Sequence, residues 1–157
     1  MIPDLTPSDD ISKDRLRLWL KLLKAQSAIE AEIRRRLRED FATTLPRFDV
    51  MSALFRHSKG LKMSQISGLL KVSNGNVTGI VDRLVEDGQV IRVAVPGDRR
   101  AQLARLTPAG ITAFERLAQA HEGWLNMMLG GIDEADIAAL AAQLDNITDH
   151  LEADHAN

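Results

Sequence analysis

The residues of this chain whose types and spacing could do chemistry are amides, a hydroxyl and cations. Between Ser73 and Asp87 the apolar residues Val77, Ile80, Val81 and Leu84 recur at helical intervals. That periodicity leaves Asn74, Gly75, Asn76, Thr78, Gly79, Asp82 and Arg83 on the opposite face. An asparagine amide matches the edge of adenine, a guanidinium matches guanine, and a threonine methyl fits against the thymine methyl. Ser73 is placed to cap this helix, whose free N–H groups could meet a phosphate. Gly75 and Gly79 each lower helix propensity by roughly 1 kcal/mol, a penalty that makes sense where another backbone must come close. Further on, Asp98 precedes Arg99 and Arg100. Either the aspartate orients an arginine toward DNA, or the three residues form a simple turn salt bridge. The competing reading of the helix is a polar, solvated face in some other α protein.

Other chemistries are poorly provided for. The 157 residues include no cysteine, which removes disulfides, thiolate ligands and thiol nucleophiles. His57, His121, His150 and His155 include no i, i+4 pair of the kind a helical zinc site uses, so neither a metal nor a cofactor is expected. His121 falls on an apolar stripe and reads as a packed or pocket histidine. Neither a P-loop nor a nucleophile elbow is present, and an enzyme is not expected. No apolar run reaches the roughly 18 residues of a membrane span, and Met1 to Asp10 lacks the blocks of a signal peptide, so the cytoplasm is the expected location.

The formal charge of −2 conceals a division. From Arg56 to Leu106 there are nine Lys or Arg against four Asp or Glu, whereas from Thr107 onward a single arginine faces nine acids. A basic middle beside an acidic tail fits a modest nucleic-acid surface, and fits equally a scatter of solvated charges.

The elements that must position these residues follow from periodicity. A long helix is expected over 11–41, with Leu18, Leu22, Ala25, Ile29, Ile33, Leu37 and Phe41 in one stripe. Leu16, Trp19, Leu20 and Leu23 form a second apolar face, which a second subunit would cover. Pro46 breaks the pattern and a helix follows from about Arg47 to His57, carrying Phe48, Met51, Leu54 and Phe55 inward. Lys59 to Leu61 reads as a turn. A short helix capped by Ser64 ends near Leu70, and the Ser73 helix follows, stopping at Gly88. Ile91, Val93 and Val95 alternate, PGDRR intervenes, and Leu103 to Leu106 resumes, which predicts a two-stranded hairpin with a basic tip. Thr107 and Pro108 open a long helix, ended by Gly130 and Gly131. Asp133 caps the last one, whose stripe is Ile137, Leu140, Ala141, Leu144, Ile147 and Leu151. The expected fold is mainly α: one domain over 1–157, with a winged helix-turn-helix lobe at 45–106 and a helical dimerisation region at 11–41 and 107–155.

Val72 to Leu84 (VSNGNVTGIVDRL) followed by Asp98 to Gly110 (DRRAQLARLTPAG) resembles the MarR family of bacterial transcriptional regulators, and the likeness covers nearly the whole chain. Asp98, Arg100, Leu106, Thr107 and Gly110 stand at the family's wing positions. The resemblance implies a homodimer joined through its terminal helices, a palindromic double-stranded DNA operator, and repression relieved by a small molecule. The segment 18–51 together with SNGNVTG is similar to the branch controlling hydroxycinnamate catabolism, which implies aromatic acyl-CoA thioesters as effectors. On that resemblance Arg34, Arg35, Arg36 and Arg38 would receive CoA phosphates, and Trp19, Phe48, Met51 and His121 would belong to the aromatic pocket. The bland alternative makes the arginines a solvated helix face and the apolar residues core. Regulation of efflux or stress genes by free phenolic ligands, and a winged-helix module that binds protein, are the other readings.

Overall fold

The computed structural model describes residues 10–70 and 74–156. The long helix α1 runs Asp10–Phe41, and α2 runs Leu45–Arg56. Pro46 does not end a segment before α2 but lies in its first turn, where a missing N–H is no loss. Thr44 is the cap, its hydroxyl accepting from the Arg47 N–H at 3.3 Å.

The next step departs from expectation. Leu61–Lys62 is not turn but a short strand, β1, pairing antiparallel with the later strand Asp98–Leu106 through Leu61↔Ala104 and Lys62↔Leu103. Gly60, at φ +101°, turns the chain into it, and a Cβ there would lie 2.9 Å from the Ala104 carbonyl oxygen. Two residues are too few to show a period, so the sheet has three strands rather than the expected two. Helix α3 then runs Met63–Leu70. Ser64 lies inside it rather than at its cap; the Gln65 side chain instead reaches back to accept from the Lys62 N–H at 2.9 Å.

Helix α4 spans Asn74–Glu86, and Gly88, at φ +75°, ends the turn that follows. Strand β2 (Val90–Val95) and β3 (Asp98–Leu106) form the wing, and the sheet order is β1-β3-β2. Helix α5 spans Pro108–Met128 and α6 spans Glu134–His155. Thr107 caps α5 by accepting from the Gly110 N–H at 3.0 Å, and Asp133 caps α6 by accepting from the Asp136 N–H at 2.9 Å.

The chain packs as two units that divide within α5, one up to Gln119 and one from Ala120 onward. The core of the first is Leu37, Val50, Met51, Leu54, Ile66, Val77, Val81 and Leu84, all buried. Phe48 lies against Phe114 with ring centroids 5.6 Å apart. Phe55 also meets Phe114, at 4.9 Å, yet it is exposed rather than inward. Along the first half of α1, Leu16, Leu18, Trp19 and Leu20 are all exposed. In the second unit Ile137, Leu140, Leu144, Ile147 and Leu151 are exposed too, and no described residue of α6 is buried.

Candidate nucleic-acid interface

Helix α4 is held by one apolar stripe. Val77, Val81 and Leu84 are completely buried, and Ile80 is half-buried beside them. Asn76, Thr78, Gly79 and Arg83 are exposed, as the periodicity requires. Gly79 lies at about 200° from Val77 around the helix, at the centre of the outward face. Among the described residues nothing lies within 4 Å of the place a Cβ would take there, so their packing does not demand glycine. Asn74 and Gly75 begin the helix; Ser73 lies outside the described residues.

Asp82, at about 140° from Val77, lies as far from the middle of the buried stripe as Gly79 does, yet its carboxylate is not free, because it pairs with Arg92 on β2. Just beyond the C-terminal end of the helix, Asp87 accepts from Arg47 Nη2 of α2 at 2.5 Å. The helix is therefore braced by ion pairs to two different elements.

The wing also differs from the expected basic tip. Val95 pairs with Asp98 across Pro96 and Gly97, whose φ of +81° suits the second turn position. Arg99 and Arg100 belong to β3 itself. Ala94 pairs with Gln102 and its neighbour Val95 with Asp98, so Arg99, Arg100 and Ala101 bulge from the ladder without opposite partners. Asp98 shapes the bulge, its Oδ1 accepting from the Arg100 backbone N–H at 3.0 Å. All three of Asp98, Arg99 and Arg100 are exposed.

Recognition helix and wing meet in a hollow of about 400 Å³ lined by Lys62, Ser64, Thr78, Arg92, Arg100 and Gln102, among others. Lys62 and Arg100, two hydroxyls and an amide converge there, beside an Arg92 already paired with Asp82, a chemistry suited to a phosphate oxygen. Lys62, Ser64, Arg92 and Gln102 were not legible as site residues. Only the β1-β3-β2 order places Lys62 and Arg92 beside Arg100.

Within the first unit the residues expected to hold an effector are not gathered in one place. Met51 reaches a cleft of about 390 Å³ beside Phe41, Arg47, Asp87 and Leu117. Phe48 is buried against Phe114. Trp19 is exposed, and 14 residues along α1 separate it from Ile33, the first buried position of that helix, a rise of about 21 Å. Arg34 donates to Glu30 at 2.8 Å, and Arg36 to Glu32 at 2.8 Å. The adjoining Arg35 spans Glu32 and Glu39. Hydrogen bonds from Arg35 and Arg36 hold the Glu32 carboxyl down to about 2. Arg38 is exposed. His121, half-buried in the second unit, is pushed below its ordinary value by burial. Among the described residues no group of three His, Cys, Asp or Glu could hold a metal, and no helix is long and apolar enough to cross a membrane.

A helix-turn-helix followed by a β-hairpin, within a mostly helical chain, defines the winged helix-turn-helix class. The MarR family model matches residues 43–101. A MarR family transcriptional regulator from Silicibacter pomeroyi is 33% identical, with 92% of this chain and 99% of that one covered at a TM-score of 0.75. The chain belongs to the MarR family of transcriptional regulators. The HTH-type transcriptional regulator PecS of Dickeya dadantii is 29% identical over 66% of this chain and 64% of its own length. The same fold occurs in Sco3205, a MarR family regulator from Streptomyces coelicolor solved in complex with DNA, with 21% identity, 89% and 88% of the two chains covered and a TM-score of 0.76.

Proposed function

We propose that this protein is a homodimeric repressor that binds a palindromic operator and is released by a small aromatic effector. The observation that carries the DNA reading is the exposed face of α4, bare at Gly79, adjoining the cationic hollow that Arg100 shares with Thr78. The DNA in the Sco3205 complex supports the same use of the fold. On this reading Ser73, Asn74, Gly75, Asn76, Thr78, Gly79 and Arg83 face the major groove, and Asp98, Arg99 and Arg100 serve the backbone or minor groove.

Dimerisation rests on the uncovered apolar faces. Ile137, Leu140, Leu144, Ile147 and Leu151 follow a three–four spacing, each close to half exposed. Together with Leu16, Trp19 and Leu20 they offer more apolar surface than an isolated soluble chain leaves bare, and a second copy would cover it. Two-fold symmetry then sets the recognition helices about 34–36 Å apart, one turn of DNA.

The favoured effector is an aromatic acyl-CoA thioester, a reading that rests on the likeness of 18–51 to the hydroxycinnamate branch. A second reading, a free phenolic ligand acting on efflux or stress genes, gains from the pairing of Arg34 and Arg36 to carboxylates on their own helix. CoA phosphates would have to displace those carboxylates, whereas a free phenol would not.

Fluorescence anisotropy with a palindromic fragment from upstream of the gene tests both levels. Salt-dependent binding abolished by p-coumaroyl-CoA but not by the free acid is the expected result. Release by the free acid alone would favour the second reading, and no binding at low salt would remove DNA as the partner and leave a protein-binding module.

A further inference from the structure

The C-terminal end of α4 is tied to α2 by the Arg47–Asp87 ion pair across 40 residues of sequence. Asp87 is followed at once by Gly88 and Gln89, where the chain turns out of the recognition helix into the wing. The Gln89 N–H donates to Leu84 O at 2.9 Å, and its carbonyl accepts from the Thr107 N–H at 3.0 Å, joining this corner to the start of α5. Thr107 Oγ1 donates to Gly88 O at 2.7 Å. Corner and α5 are thus fastened by one backbone hydrogen bond and one from the Thr107 hydroxyl, whereas corner and α2 are joined by a side-chain ion pair at the wall of the Met51 cleft. Arg47 is also the one described residue with a buried side-chain nitrogen, Nε, that has no hydrogen-bond partner. A guanidinium with half of its fork unused is costly to keep in a partly buried place for packing alone.

We propose that Arg47 is a positioning residue for operator recognition: by holding Asp87 it fixes the end of α4, and with it the angle at which the helix meets the groove. The Asp82–Arg92 pair ties the body of the helix to the wing while the Arg47–Asp87 pair ties its end to α2, so the two pairs together define one orientation. Arg47 touches no base or phosphate in this scheme. The proposal rests on the DNA reading above and adds a residue outside the expected contact surface.

The test is operator binding by the full-length protein carrying Arg47→Gln, Asp87→Asn, or the exchange Arg47→Asp with Asp87→Arg, at several salt concentrations. Each neutral variant is expected to bind about tenfold more weakly with the salt slope of the wild type, because no phosphate contact is lost. The exchange is expected to recover most of that loss, a rescue that removal of a contacting residue would not allow. Hydrogen exchange without DNA supplies an independent readout, with the Gln89 amide expected to exchange faster in both neutral variants and to recover in the exchange. A slope for Arg47→Gln lower by about one, without rescue, would make Arg47 a phosphate contact and overturn the proposal. Wild-type affinity in both neutral variants would overturn it while leaving the DNA reading intact. Failure of the wild type to bind any operator would remove the DNA reading and the proposal with it.

Discussion

Gly110 approaches Gln89 so closely that a Cβ on it would lie 2.0 Å from the Gln89 carbonyl oxygen. The first turn of α5 therefore packs directly on the corner that ends α4, and Thr107 ties the same two segments through the Gly88 carbonyl. Since the obstructing atom is backbone, it has little freedom to yield. Gly110→Ala is expected to lower stability by about 1–3 kcal/mol, read from denaturant midpoints at constant m. An unchanged midpoint would show that α5 can shift without loss.

Gly79 is the opposite case. With open space around its Cβ position, alanine should raise helix propensity and stabilise the fold by about 1 kcal/mol. In the proposed complex the same methyl stands where the groove must approach, so Gly79→Ala is expected to melt higher and bind the operator more weakly. Higher melting with unchanged affinity would take Gly79 off the contact face.

Arg100 and Asn76 should fail differently. Removing Arg100 from the hollow is expected to weaken binding to all sequences and lower the salt slope by about one. Asn76→Ala should cost about 1–3 kcal/mol at particular base pairs only. Equal losses on every operator variant would reassign Asn76 to phosphate or to structure.

Asp49 makes stability depend on pH. Burial raises its carboxyl above the ordinary 3.8, although Arg34 pulls the other way. Between 3.8 and the raised value the folded chain binds more protons than the unfolded one, so stability from this residue falls as pH rises through that window. Asp49→Asn is thus expected to be more stable than wild type near neutrality, with the advantage vanishing below 3.8. Parallel melting curves against pH would show no such linkage.

The exposed seam of α6 should govern assembly. Leu144→Glu places a charge among Leu140, Ile147 and Leu151, and sedimentation is expected to show dissociation of the dimer. A dimer as tight as the wild type would move the interface elsewhere.

Much of this molecule was determined by local chemistry. The period of Val77, Val81 and Leu84 set which face of α4 is buried. Thr107 and Asp133 announced two helix starts, because a cap satisfies donors only three residues away. Wherever a residue's role depends on partners distant in the chain, the sequence was silent. A two-residue strand has no period to read, so β1 and the placement of Lys62 beside Arg100 came only with the sheet order. The bulge at Arg99 to Ala101 is a matter of register, which β2 decides. The pairing of Asp82 with Arg92 and of Arg47 with Asp87 was decided by folding, because charge complementarity is local in space and not along the chain.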